Sequence, residues 1–238
     1  MSLSQSLLLQ APISATPCIP ILPEGELHKL NHGLALGRVH QACGSARHRL
    51  ALWLAAQTTG PVFWIAPKWN TEQLNPCGMM SFINPGRLIL VQPKSAKDIL
   101  WSMEEILRSG ASPLAIADIP ESPALTPVRR LHLAAEKGGK TGNSAPIGLL
   151  LTPGTEGAQG VETRWHLAPD HNGSTGTWRL HRLRARMAPE QGWYVKQEKS
   201  KNLLKRKRVR ICEPFSLIKE ILIYFFDNKS LISINNSS

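Results

Sequence analysis

The segment Ala42-Cys43-Gly44-Ser45-Ala46-Arg47-His48-Arg49 is where residue types and spacing come nearest to phosphate chemistry. A glycine-containing turn between a strand and a helix lets backbone N–H groups surround phosphate oxygens. A working loop also needs a lysine for the β- and γ-phosphates and a serine or threonine for magnesium. Here Arg47 holds the lysine place and His48 the hydroxyl place. Imidazole is a poor magnesium ligand, because Mg²⁺ takes hard oxygen donors. Gly44, Ser45, Arg47 and His48 therefore predict a degenerate nucleotide or phosphate site without ATP turnover. A helix start bearing Arg47, His48 and Arg49 still attracts anions, a DNA phosphate among them. Asp118 ends the apolar run Leu114-Ala115-Ile116-Ala117. There it reads as a magnesium-supporting carboxylate or as a turn residue ahead of Pro120, and both readings stand.

Gly138-Gly139-Lys140-Thr141 imitates a phosphate loop, but the glycine required five positions before Gly139 is Ala134, inside a helical pattern. A flexible polar connection is the expectation. Arg129 and Arg130 on a helix, with Arg164, Arg179, Arg182, Arg184 and Arg186 on two alternating segments, make either a solvated face or a contact surface for DNA or an acidic partner. Strict alternation puts Arg182, Arg184 and Arg186 on one strand face. The 8 histidines lack metal-ligand spacing, so no metal site is assigned. No Ser/His/Asp or Cys/His grouping has local support, and no catalytic residue is assigned. The 7 tryptophans read as core or edge packing in preference to base-stacking platforms.

These side chains need a scaffold, and the hydrophobic pattern supplies one. A strand at residues 38–42 leads through the Gly44 turn into a helix at about residues 47–58, marked by Leu50, Trp53 and Leu54. Val62-Phe63-Trp64-Ile65, residues 87–91, residues 114–118 and residues 147–151 are apolar runs of buried-strand type. Between them, Ile99, Met103, Ile106 and Leu107 mark a helix capped by Ser95 and stopped at Gly110. Leu125, Val128, Leu131 and Ala135 mark another, ending at Gly138-Gly139. Apolar strands alternating with helices predict an α/β fold with a mostly parallel sheet flanked by helices. Residues 162–168 and 178–186 alternate instead, around a Gly/Ser/Asn turn at residues 172–176. They predict antiparallel edge strands.

The chain has 238 residues and a formal charge of +11, unevenly spread. Residues 196–238 carry 10 basic and 4 acidic side chains, so this last fifth holds +6 and the rest only +5. The vocabulary also shifts there, from Ala, Gly, Pro, Arg and Trp to Lys, Ile, Asn, Ser and Phe. The expected organisation is a loose lead-in at residues 1–30, a domain at residues 31–195, and a basic tail at residues 196–238 that is disordered or partly helical. Within that tail, Lys205-Arg206-Lys207-Arg208 is a polyanion-type patch and residues 217–226 form an apolar run. No window reaches the length of a membrane span. The N-terminus has no basic region before its apolar stretch, so no secretory signal is expected. The 4 cysteines form no CxxC. A reduced cytoplasmic protein follows, with neither disulfide framework nor membrane partner.

The order strand, loop, helix, strand, helix, strand with terminal Asp118, helix, strand, antiparallel edge resembles the RecA-like ATPase core over roughly residues 30–190. Ile89-Leu90-Val91-Gln92-Pro93, Leu107-Arg108-Ser109-Gly110-Ala111, and residues 114–118 followed by Ala124-Leu125-Thr126-Pro127 resemble consecutive RecA segments. Residues 104–127, then Val128-Arg129-Arg130-Leu131-His132-Leu133-Ala134-Ala135-Glu136 and Gly157-Ala158-Gln159-Gly160-Val161-Glu162-Thr163-Arg164-Trp165, are similar to the ImuA family. These are bacterial RecA-like proteins of SOS-induced mutagenesis, sometimes described as SulA-like division inhibitors. The resemblance implies an accessory factor of translesion DNA synthesis. Its implied partners are an ImuB-like Y-family protein, an error-prone replicative-type polymerase, RecA itself and DNA. A SulA-like inhibitor of cell division is the alternative. Against the RecA pattern, Pro67 stands where recombinases carry their water-activating glutamate, and Thr152-Pro153 replaces the Asn-Gln pair that senses the γ-phosphate. Phosphoryl transfer needs these groups together. The expectation is therefore no cofactor beyond vestigial ATP binding, and no hydrolysis.

Overall fold

The computed structural model describes residues 17–22, 33–69, 74–142, 145–170, 176–186, 188–197 and 209–215. Most of the turn expected at residues 172–176, the basic run at 205–208 and the apolar run at 217–226 lie outside them. In chain order the elements are β1 (Cys18–Pro20), β2 (Gly33–Ala35), β3 (Val39–Cys43), α1 (Arg47–Ala56), β4 (Val62–Ile65), α2 (Pro76–Met79), a 3₁₀ turn (Pro85–Arg87), β5 (Leu88–Val91), α3 (Ala96–Ser109), β6 (Leu114–Asp118), α4 (Leu125–Thr141), β7 (Ile147–Thr152), β8 (Thr163–Pro169), β9 (Thr177–Ala185), β10 (Gln191–Gln197) and β11 (Val209–Phe215).

The chain is mixed α/β, built on a nine-stranded sheet of order β11-β10-β9-β8-β3-β7-β6-β4-β5. From β8 to β5 all neighbours are parallel. From β8 outward to β11 they are antiparallel. The split follows from the connections: parallel neighbours need a crossover helix, whereas antiparallel ones join through short turns. The chain leaves β3 through α1 over one face to reach β4, then returns through α3 and α4 over the other. Opposite directions on opposite faces keep every crossover right-handed.

Two cores result. On the first face α1 is buried from Leu50 to Ala56 and packs among Trp165, Leu167, Trp178, Leu180, Trp193 and Val195. A helix apolar on all sides belongs inside, which is why α1 lies beneath other elements. On the second face Ile99, Met103 and Leu107 of α3 and Val128, Leu131 and Ala135 of α4 cover Val39, Ala115, Ala117 and Leu150. The Ser95 hydroxyl accepts from Asp98 N–H at 3.2 Å, and Gly110 closes α3 in the left-handed conformation (φ 64°), both as the pattern predicts.

Three expectations need correction. Residues 17–22 of the lead-in are folded: β1 pairs with β2, and Ile21 and Leu22 enter the first core. The boundary at Val195 falls inside β10, and part of the expected disordered or helical tail is strand β11, antiparallel to β10. Val209, Arg210 and Ile211 alternate apolar and polar at its start, as an edge strand does despite the altered composition. Gly138-Gly139-Lys140-Thr141 is the last turn of α4 and not a flexible connection. A Cβ at Gly138 would overlap the Leu107 carbonyl, so glycine lets α4 lie against the end of α3. Among the described residues no helix is long and apolar enough to cross a membrane.

Candidate functional site

The Gly44 turn joins the end of β3 to the start of α1. Gly44 has φ +90°, and a Cβ there would lie 2.6 Å from the Leu167 carbonyl oxygen and 2.7 Å from His166 Nε2. Only glycine combines that torsion with so close an approach. The next N–H groups are already directed at protein carbonyls: Ala46 donates to Leu167 O at 3.1 Å and Arg47 to Gly44 O at 3.2 Å. Those are the donors a phosphate cradle would aim outward.

The first turn of α1 crosses the end of β7 and meets Asp118 at the end of β6. His48 Nε2 donates to Asp118 Oδ2 at 2.8 Å, across 70 residues of sequence, and Arg47 Nε lies 3.8 Å from Oδ1. The carboxylate is only 6% exposed, and the His48 ring leans on Trp64 at 5.9 Å. Gly44, Ser45, Arg47 and His48 thus lie in one turn and helix start beside Asp118, with Ser45 exposed. The result is one carboxylate hydrogen-bonded by His48 and ion-paired with Arg47. Magnesium needs hard oxygen ligands, and the position that should supply a hydroxyl supplies an imidazole bonded to Asp118. This donor set does not fit a magnesium nucleotide. Among the described residues no three His, Cys, Asp or Glu side chains are grouped to hold a metal ion.

No protein-family model matches the chain, and no curated protein matches it either.

Beside the loop, β3 carries two buried polar side chains that sequence reasoning missed. Gln41 uses its whole amide. It donates to Thr152 Oγ1 (2.8 Å) and Glu156 O (3.0 Å), and accepts from Ala158 N–H (3.0 Å) and Arg164 Nε (3.1 Å). Gln41 thereby fastens the end of β7, the loop after it and β8 around the strand that carries the phosphate-type turn. His40 donates from Nε2 to Ala35 O (3.0 Å) and accepts at Nδ1 from the Thr163 hydroxyl (2.7 Å), which in turn accepts from Trp165 Nε1 (2.8 Å). Burial pushes the His40 pKa down to about 4, so the ring is neutral at physiological pH and the tautomer is set by these partners. The signal was present in Val39-His40-Gln41-Ala42-Cys43: two polar residues inside a run that reads as a central strand.

The arginines do not all share one surface. Arg129 is exposed on α4, while Arg130 turns toward α3 and pairs with Glu104 at 2.8 Å. Arg164 is held by Gln41, and its guanidinium fills the space that a side chain at Gly157 would need. Arg186 is exposed at the strand end, 3.9 Å from Glu162. Arg182 is 2% exposed: it donates to Pro189 O from Nε and Nη2 (3.1 and 2.9 Å) and lies over the stacked rings of Trp165 and Trp193. It is a core residue, not a contact for DNA or an outside partner. The cause is an irregularity in register: Trp165 faces Arg182 but Arg164 faces Arg184, so Leu183 is skipped. That extra residue sends Arg182 and Arg184 to opposite faces, where strict alternation had placed them together.

Proposed function

We propose that this chain is a non-catalytic, RecA-like accessory protein of SOS-induced translesion DNA synthesis, of the ImuA kind, acting through protein contacts. The observation that carries the reading is the ion-paired Asp118. The residues in the places of a phosphate-loop lysine and hydroxyl turn inward to a strand-end carboxylate instead of outward to a ligand. An ATPase loop converted into an internal brace suits a scaffold whose surfaces serve partners. The element order supports the RecA-like part of the reading: strand, glycine turn, helix, and then strands and helices as far as the antiparallel edge, with Asp118 closing its strand. Trp101, 60% exposed on α3, and Leu133, 65% exposed on α4, fit contact with protein better than with water. The partners on this reading are an ImuB-like Y-family protein, an error-prone replicative-type polymerase and RecA.

Two measurements test it. Deleting the gene should lower the damage-induced mutation frequency, and an unchanged frequency would sink the assignment. Purified protein should release no phosphate from ATP. Turnover that disappears in Asp118→Ala would overturn the non-catalytic reading.

A further inference from the structure

The face of β8, β9 and β10 turned away from α1 is built from basic and ring side chains. Trp165, Leu167, Trp178, Leu180, Trp193 and Val195 point into the α1 core, so their strand neighbours point the other way. Register then gathers Arg164 and His166 from β8, Arg179, His181 and Arg184 from β9, and Tyr194 and Lys196 from β10. Arg179, Arg184 and Lys196 are exposed, and the other four partly so. Acidic side chains meet this set at its rim, where Glu190 lies 3.1 Å from His181 and Glu162 faces Arg186.

Like groups stand directly opposite one another here: Arg164 against Arg184, and His166 against His181. The Arg164–Arg184 pair sets like charge against like, which destabilises a sheet. Burial first, then His181 and Arg179, lower the pKa of His166, and Arg184 adds to the burial that lowers that of Arg164. A polyanion lying across the strands turns this repulsion into attraction. Among the described residues the face is a sheet surface, with no helix or ribbon projecting to enter a duplex groove. It interleaves cations with the rings of Tyr194, His166 and His181, which is the combination that holds phosphates while unpaired bases stack.

We propose that this sheet face binds single-stranded nucleic acid. The inference uses only the β8–β10 surface, so it stands or falls separately from the translesion assignment.

Fluorescence anisotropy of the purified full chain with labelled oligothymidylate, across a salt series, tests it. The parent should bind at low salt. Arg179→Ala/Arg184→Ala should bind at least tenfold more weakly, with the slope of log affinity against log salt reduced by about 0.7 per arginine removed. Tyr194→Ala should weaken binding by about fivefold or more while leaving the salt slope unchanged. Both arginines are exposed, so circular dichroism should show the double variant folded. Equal affinity for a duplex of the same length, displacement by polyglutamate at equal charge, or parental binding by the double variant would overturn the proposal.

Discussion

Asp118 is the residue on which the meaning of the loop turns. A carboxylate kept for a metal or a nucleotide is dispensable to the empty fold, whereas one that accepts from His48 and lies beside Arg47 braces it. Removing one member of a largely buried pair leaves the other charge uncompensated. Asp118→Ala should therefore lower unfolding stability by about 2–3 kcal/mol in the absence of any ligand. Urea denaturation of parent and variant checks this, and equal midpoints would count against the brace. Arg182 teaches the same lesson from the other side: one arginine among many in composition, it is committed to Pro189 and two tryptophans. Lysine cannot reproduce a planar fork that bonds a carbonyl while lying over rings. Arg182→Lys should cost about 1–2 kcal/mol in the same assay.

At the scale of elements, the turn between β3 and α1 and the pairing of β8 with β9 position everything else. Gly44→Ala places a methyl against Leu167 O and His166 at φ +90°. The expected loss is about 2–3 kcal/mol, because strain and overlap add. A thermal melt reads it, and an unshifted midpoint would mean that the turn relaxes freely. The skipped Leu183 is the second device. It leaves Arg182 in the tryptophan core and sends Arg184 to the opposite face, which already carries Arg179 and His181.

For the molecule as a whole, acid is the revealing condition. His40 titrates at about 4 in the folded chain against 6.5 for a free histidine, so the unfolded chain takes up its proton first as pH falls. Its contribution is fully present above pH 6.5 and drains away down to pH 4, on the order of 3 kcal/mol in all. Burial lowers His132 and His166 in the same sense. Melting temperatures should therefore fall steadily between pH 6.5 and 4, and His40→Gln should flatten that slope even if it melts lower throughout. A parallel slope in the variant would refute the assignment. The sheet edge makes a separate prediction. Among the described side chains, the buried apolar residues of β10 are Trp193 and Val195, so a chain ending at Gln197 loses β11 yet keeps both. It should fold with a modestly lower melting temperature, and failure to fold would show that β11 is integral.

Much of this was legible along the chain. Runs such as Val62-Phe63-Trp64-Ile65 and helical spacing such as Ile99, Met103 and Leu107 report burial through local periodicity. That alone determined the α/β class, the parallel strands, the antiparallel edge and the position of Asp118 at a strand end. Charge counting likewise separated the +6 of residues 196–238 from the rest. Only the tertiary structure decided that His48 and Arg47 spend themselves on Asp118, 70 residues from His48. It also decided that Gln41 holds Arg164, that Gly138 closes a helix contact, and that Arg182 lies inside while Arg184 lies outside. The physical reason is common to all four. Periodicity tells which way a side chain points within its own element, but partners across elements depend on strand order and register, and a single skipped residue reverses a face.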